Sequence, residues 1–420
     1  MSSVLIALAA FSFFIIYLIS PLFGIAYLTA ARNLFSFIYT SGGSLELSAE
    51  GVVTLLVIIV GIFGIGKYNF KSDTFWAFIL FIVVGAATFF VAFDHVNFFK
   101  KLFRLIGYLF LYLMAQRFCV DKKNIRILSV AIIISMFITI PPALHFFKTQ
   151  SAATPATLAT SALDEKMGLL SKNNFGFYAS YMTLFLFYPL AFRLYPLVRY
   201  VALLLFPVLI AALLLSYTRA AWVGFFVAFI VFIVLSDLRK KIIVPFLIVS
   251  AVIFIFSSML YKGLYVDATQ KRENGMSSWD YRTKFAWPAS IKCIKESPVF
   301  GYGLGNDMHA MKTIAHFDNS SHNDYLLVAV DSGMIGLSSY LFFLVTMYAR
   351  TYKAYKAAED KEIRFFCLVT LAVFTSFIVG SIAEHLLQTP GATGYVITML
   401  GMAHGSMNAA ASKTDLENEQ

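Results

Sequence analysis

Residues 201–235 read VALLLFPVLIAALLLSYTRAAWVGFFVAFIVFIVL, two apolar runs joined by Ser216-Tyr217-Thr218-Arg219. Each run approaches the ~20 apolar residues that a helix needs to cross a hydrocarbon core of roughly 30 Å. Lipid offers the backbone no hydrogen-bond partners, so such runs are helical. Similar runs recur along the whole chain, which has 420 residues, is 59% hydrophobic and contains 44 phenylalanines. Only 13% of the residues are charged, about half the roughly 25% of a soluble domain. The sequence reads as an all-α integral membrane protein.

Working outward, hydropathy predicts about 12 transmembrane helices, near 4–28, 50–66, 74–93, 102–118, 125–147, 174–194, 197–216, 219–237, 241–260, 324–348, 363–384 and 391–408. The first run opens at Val4 without a basic flank or a convincing cleavage site, so it is expected to be retained. Pro21 interrupts it, and a short interfacial helix is expected near 31–39. The expected organisation is N-terminal helices over 1–147, a shorter outside loop over 148–173 and central helices over 174–260. A long outside loop over 261–323, C-terminal helices over 324–408 and an inside tail over 409–420 complete it.

The net charge of +10 is no nucleic-acid footprint, because the basic residues lie in short clusters between apolar runs. Cytoplasmic loops are the ones enriched in Lys and Arg. Placing Lys67, Lys71, Arg117, Lys122, Lys123, Arg126, Arg193, Arg239, Lys240, Lys241, Arg350, Lys353, Lys356, Lys361, Arg364 and Lys413 inside puts both termini in the cytoplasm. Lys100, Lys101 and Arg104 run against that assignment. Cys119, Cys293 and Cys367 fall in separate segments and suggest neither a disulfide framework nor a thiolate metal site.

The polar residues with chemical capacity gather in the outside segments. Arg219 stands between two apolar runs, where an Arg either snorkels to the interface or meets an anion. A guanidinium can grip phosphate oxygens in pairs. Arg282, in Trp279-Asp280-Tyr281-Arg282-Thr283-Lys284, either pairs with Asp280 or joins Arg219 around a diphosphate, with Lys284 a weaker candidate. The stretch Tyr281–Glu296 has helical spacing with Phe285, Ala289 and Ile294 as its apolar face, and Ser297 to Gly305 form a turn-rich loop. His322 opens His322-Asn323-Asp324-Tyr325-Leu326 ahead of an apolar helix containing Asp331, which is expected to face the bundle. An imidazole there suits a general base. His309 and His316 lie nearby, but the spacing matches no metal-ligand motif. Asn173-Asn174 and Glu384-His385 are further polar pairs at the same face.

Three ordered pieces, spread over roughly residues 175–345, resemble the O-antigen ligase and polymerase superfamily of bacterial envelope glycosyltransferases. They are Thr218-Arg219-Ala220-Ala221-Trp222, then Arg282 with Trp287 and Ser297–Gly305, then His322–Leu326 with Gly333 and Gly336. The resemblance implies a membrane glycosyltransferase (GT-C-like) architecture in the bacterial inner membrane, with a periplasmic active site. It implies metal-independent, inverting transfer with no cofactor. The donor would be a glycan on undecaprenyl pyrophosphate. The acceptor would be lipid A–core oligosaccharide in a ligase, or another lipid-linked glycan in a polymerase. By motif, Arg219 and Arg282 would hold the pyrophosphate and His322 would activate the acceptor hydroxyl, with Asn323, Lys284, Asn174, Glu384 and His385 as supporting candidates. A transporter or lipid flippase is the reading from another class, but it expects polar residues near the bilayer midplane.

Overall fold

A computed structural model describes residues 2–37, 49–151, 166–167, 170–192, 194–216, 218–236 and 278–418. The expected helix at 241–260 and the start of the long outside loop lie outside the described residues. Apart from a two-residue antiparallel β-ribbon, Lys166–Met167 with Leu170–Ser171, the described elements are helical. In chain order they begin with α1 (Ser2–Ile19), α2 (Pro21–Phe37), α3 (Ala49–Phe63), α4 (Asp73–Ala87), α5 (His95–Phe118) and α6 (Lys122–Ser151). Next come α7 (Lys172–Ala191), α8 (Pro196–Leu215) and α9 (Arg219–Leu235). The loop helices are α10 (Ser278–Tyr281), α11 (Trp287–Glu296) and α12 (Asp307–Ile314), followed by α13 (Asp324–Ala357), α14 (Lys361–Gly380) and α15 (Pro390–Asn418). Among the described residues, five helices are long and apolar enough to cross a membrane: 73–91, 122–145, 196–215, 324–357 and 361–380. The chain is a multi-pass membrane protein.

Several sequence expectations need correction. The run expected as one helix over 4–28 is two helices, and residues 31–37 finish α2 rather than forming an interfacial helix. Proline starts a helix readily but costs a hydrogen bond and a clash inside one, and here the chain folds back at Ser20–Pro21. A Cβ on Gly24 would lie 2.8 Å from the Cα of Tyr17. α6 continues to Ser151, beyond 147, and α15 to Asn418, beyond 408.

The bundle has two distinct ends. At one, Arg126 grips the Glu362 carboxylate through Nε (2.8 Å) and Nη2 (2.7 Å), and Lys122 reaches Asp360 at 2.8 Å. Arg350 lies 3.9 Å from Asp73 at the same end. The basic clusters expected inside thus meet acidic helix starts. Between the ends, Gly401 and Gly405 of α15 press against the Tyr112 and Gln116 carbonyls of α5. Small residues of this kind let membrane helices approach where no hydrophobic effect drives them together.

The other end is organised by α13. Its helix breaks at Gly333 (φ 64°), and the loop from Pro298 to Asn306 enters the break. The Tyr302 and Gly303 amides donate to the Val330 and Asp331 carbonyls, and the Met334 amide donates to the Pro298 carbonyl. The Asp331 side chain, fully buried, accepts from the Gly305 and Asn306 amides at 2.8 and 3.0 Å. Lys101 of α5 bridges Asp331 and Asp307, both at 3.0 Å. Asp331 therefore faces protein, as expected, and fixes the loop to the bundle. Arg104 donates to the Gln388 carbonyl at 3.2 Å. Two of the three basic residues that opposed the charge rule are thus engaged by protein.

A side chain at position 333 would collide with the Val299 carbonyl and face a left-handed backbone, a strain of about 1–3 kcal/mol before the clash is counted. Gly333→Ala is expected to lower the Tm of detergent-extracted protein and to open the 298–306 loop to proteolysis. A wild-type Tm would refute this account of the break.

Candidate functional site

The site begins with helix α13 and the way it is capped. Asn323 accepts the Tyr325 and Leu326 amides at its side chain, the usual service of an N-cap. Asp324, fully buried, accepts the Leu386 and Leu387 amides at 3.0 and 3.1 Å, and its own amide donates to the Ser381 carbonyl. These bonds tie the start of α13 to the α14–α15 linker and bring Glu384-His385 against His322.

His322 has a left-handed backbone, φ 49°, a conformation rare outside glycine and met more often in His, Asn and Asp. Its amide donates to His385 Nε2 at 2.8 Å, and its Nδ1 lies 3.1 Å from Glu384 Oε1. Ser320 Oγ lies 2.9 Å from the same His385 nitrogen. Because that nitrogen accepts from a backbone amide, the serine hydroxyl is the donor there. Burial disfavours the His385 cation and lowers its pKa to about 4, against the pull of Asp307 and Glu384. Burial alone would raise the Glu384 carboxyl. The His322 hydrogen bond and the charges of His322, His385 and Arg282 outweigh it and hold the carboxyl at about 2. A carboxylate can only accept, so Nδ1 of His322 carries the hydrogen, and in the neutral ring the lone pair then lies on Nε2.

The other Glu384 oxygen receives two donors. Asn173 Nδ2, at the start of α7, lies 2.6 Å away, and Arg282 Nη2 lies 3.4 Å away. Arg282 opens a π-helical turn, Arg282–Ala286, in which the Trp287 amide donates to the Arg282 carbonyl. Pro288 explains that turn. Proline has no N–H, and its ring clashes with the carbonyl four residues back, so the backbone widens ahead of it. The extra residue shifts the buried face to Ala286, Ser290 and Cys293, whereas Phe285 is exposed, contrary to expectation. Trp287 Nε1 donates to the Ser321 carbonyl at 3.1 Å, locking this segment beside His322.

Of the expected residues, His322, Arg282, Glu384 and His385 come together. Arg219 is the exposed first residue of α9. Its corner is fastened by Trp222, whose indole donates to the Leu213 carbonyl at 2.7 Å. The corner packs on α7, where a Cβ on Gly176 would lie 2.7 Å from Ser216 Oγ and Thr218 Cβ, one turn from Asn173. Lys284 points elsewhere and pairs with Asp280 at 3.0 Å on an exposed face. Asn174 accepts from the Thr389 hydroxyl at 3.1 Å. Its neighbour Asn173 makes the closer contact to the site, a distinction that adjacency in sequence conceals. Asn323 serves as a cap.

Residues 202–341 match the family model described as O-antigen ligase. That stretch is similar to the O-antigen ligase family. The match spans a third of the chain and supports the resemblance to the O-antigen ligase and polymerase superfamily. No curated protein matches the chain. The O-antigen ligase match holds Arg219, Arg282 and His322, whereas Asn173, Glu384 and His385 lie outside it. The geometry joins these flanking residues to the matched domain.

The two depressed pKa values predict two limbs of acid sensitivity. The unfolded chain takes up the His385 proton first as pH falls from 6.5 toward about 4, which destabilises the fold over that window. The stability contributed by Glu384 is present above 4.5 and is lost as pH falls toward about 2. Thermal unfolding between pH 7 and pH 3 should show a His385-dependent fall in Tm that begins near pH 6.5, the free histidine value. His385→Gln should remove the upper limb and keep the lower one. A variant that retains both limbs would reassign the upper one.

Proposed function

We propose that the protein is an O-antigen ligase that transfers glycan from undecaprenyl pyrophosphate to lipid A–core oligosaccharide at the periplasmic face of the bacterial inner membrane. The reading rests on one observation above all: the Glu384 carboxylate is shared between a histidine and an arginine, His322 and Arg282. A base and an anion-binding cation thus stand on either side of one carboxylate. His322 Nε2 takes the acceptor hydroxyl proton as the oxygen attacks the anomeric carbon. The bond from that carbon to the pyrophosphate breaks, and attack from the opposite face inverts the configuration. Arg282 and Arg219 stabilise the negative charge that develops on the leaving pyrophosphate. With that charge met, transfer proceeds without a metal or other cofactor, and the lipid-pyrophosphate bond supplies the energy.

The architecture proposed is GT-C-like with about 12 spans, the length rule for helices supplying the count. The end bearing His322 faces the periplasm and the end bearing Arg126 and Lys122 the cytoplasm. The reversal at Ser20–Pro21 divides the first of the twelve runs into two crossings, thirteen in all, so α1 is proposed to begin on the periplasmic side and α15 to end in the cytoplasm, in place of the expectation of both termini inside.

Purified protein in detergent, given lipid-linked glycan and lipid A–core, should transfer glycan at a rate that chelators leave unchanged. His322→Ala should reduce turnover by roughly 10²–10⁴-fold, with expression intact. Arg219→Lys should be nearly as harmful as Arg219→Ala, because an ammonium cannot reproduce paired guanidinium contacts. Fully active His322→Ala protein would end the proposal. Transfer to lipid-linked repeat units in place of core would make the protein a polymerase. A deletion strain reads the same difference, as bare core with glycan retained on the carrier, or as core capped with a single repeat.

A further inference from the structure

Among the described residues, three side-chain donors surround the two oxygens of Glu384. Asn173 lies at 2.6 Å, His322 at 3.1 Å and Arg282 at 3.4 Å. The arginine contact is the longest and is made through a single nitrogen, whereas strong guanidinium–carboxylate pairs are about 2.7–2.9 Å and often double. Both partners are largely removed from solvent, with side chains 13% and 9% exposed. A buried carboxylate that loses a cation is costly unless other donors hold it. Here Asn173 and His322 would still hold it, so the arginine is the partner it can lose.

We propose that Glu384 is the exchangeable partner of Arg282: a donor pyrophosphate takes over the guanidinium and leaves the carboxylate to His322. This rests on the reading of Arg282 as part of the donor clamp and adds an order of events to it. A pyrophosphate carries several negative charges and oxygens spaced for a guanidinium, so it displaces one singly bonded carboxylate. Once released, Glu384 concentrates its charge on the His322 side, where it orients the imidazole and stabilises the imidazolium that forms on proton abstraction. The base is fully supported only when the donor is seated. Glu384 is a positioning residue, acting through His322 and against the donor for Arg282.

A competitor for Arg282 that also supports the base makes an unusual prediction, because its removal moves binding and turnover in opposite directions. Glu384→Gln keeps an oxygen for His322 Nδ1, and the Asn173 amide can rotate to meet the new NH₂. With the full-length protein and inorganic pyrophosphate as probe, Glu384→Gln should bind about fivefold tighter or more, the lower range of couplings between linked sites. Its turnover at saturating donor should fall on the order of 10²-fold, the lower range for loss of a supported base. Asn173→Ala removes the alternative anchor, strengthens the Arg282 pair and should weaken pyrophosphate binding severalfold, so it tests the idea even if Glu384→Gln does not fold. Pyrophosphate binding that is unchanged or weaker in a folded Glu384→Gln protein would overturn the exchange, as would unchanged or tighter binding in Asn173→Ala. Arg282→Ala separates the two levels. If binding requires Arg282 but ignores Glu384, only the exchange falls; if binding ignores Arg282, the donor clamp falls and the exchange with it.

Discussion

The Asp324 carboxylate, buried at the first turn of α13 and filled by the Leu386 and Leu387 amides, is the joint on which the site depends. It ties the start of α13, next to His322, to the α14–α15 linker that carries Glu384. A carboxylate in that position also satisfies amides that would otherwise be stranded at the membrane end of the bundle, where each unmet group costs about 1–3 kcal/mol. The joint serves stability and chemistry together. The same economy recurs at Asp331, which anchors the glycine-rich loop by two amides and one lysine.

From that joint the site extends by short-range contacts. Trp287 fastens the π-turn to Ser321, the π-turn presents Arg282, and Arg282 meets Glu384. α7 enters through Asn173, and beside it lies the corner that carries Arg219. Residues from four separate stretches are thereby gathered at one end of the bundle. The opposite end carries the ordinary burden of a membrane protein, pairing its basic residues with the acidic starts of helices.

Much of this was legible beforehand because lipid imposes simple rules. Helical runs follow from apolar length, His322 and Arg219 stand out as polar residues beside apolar runs, and Arg282 is a candidate within the long outside loop. The less legible features depend on contacts across the chain. Nothing in Asn173-Asn174 tells which amide faces Glu384, since both open the same helix turn. Lys284 and Arg282 are equally basic in sequence, and only the π-turn ahead of Pro288 sends one inward and the other to Asp280. The reversal at Ser20–Pro21 hid in a run of continuous hydropathy, which reports length in lipid but is blind to direction.

The Lys101 bridge has a consequence for how membrane sequences are weighed. Its ammonium faces two aspartates from beyond its own helix, Asp307 and Asp331. Once the fold closes, two carboxylates offset most of the positive charge that a residue-by-residue tally of Lys100, Lys101 and Arg104 assigns to that locality. That neutralisation from afar is invisible to insertion machinery reading the nascent chain, which meets the lysine before its counterions exist. Orientation rules written for linear stretches therefore describe the newborn polypeptide, and their exceptions mark where the mature architecture has supplied a counterion.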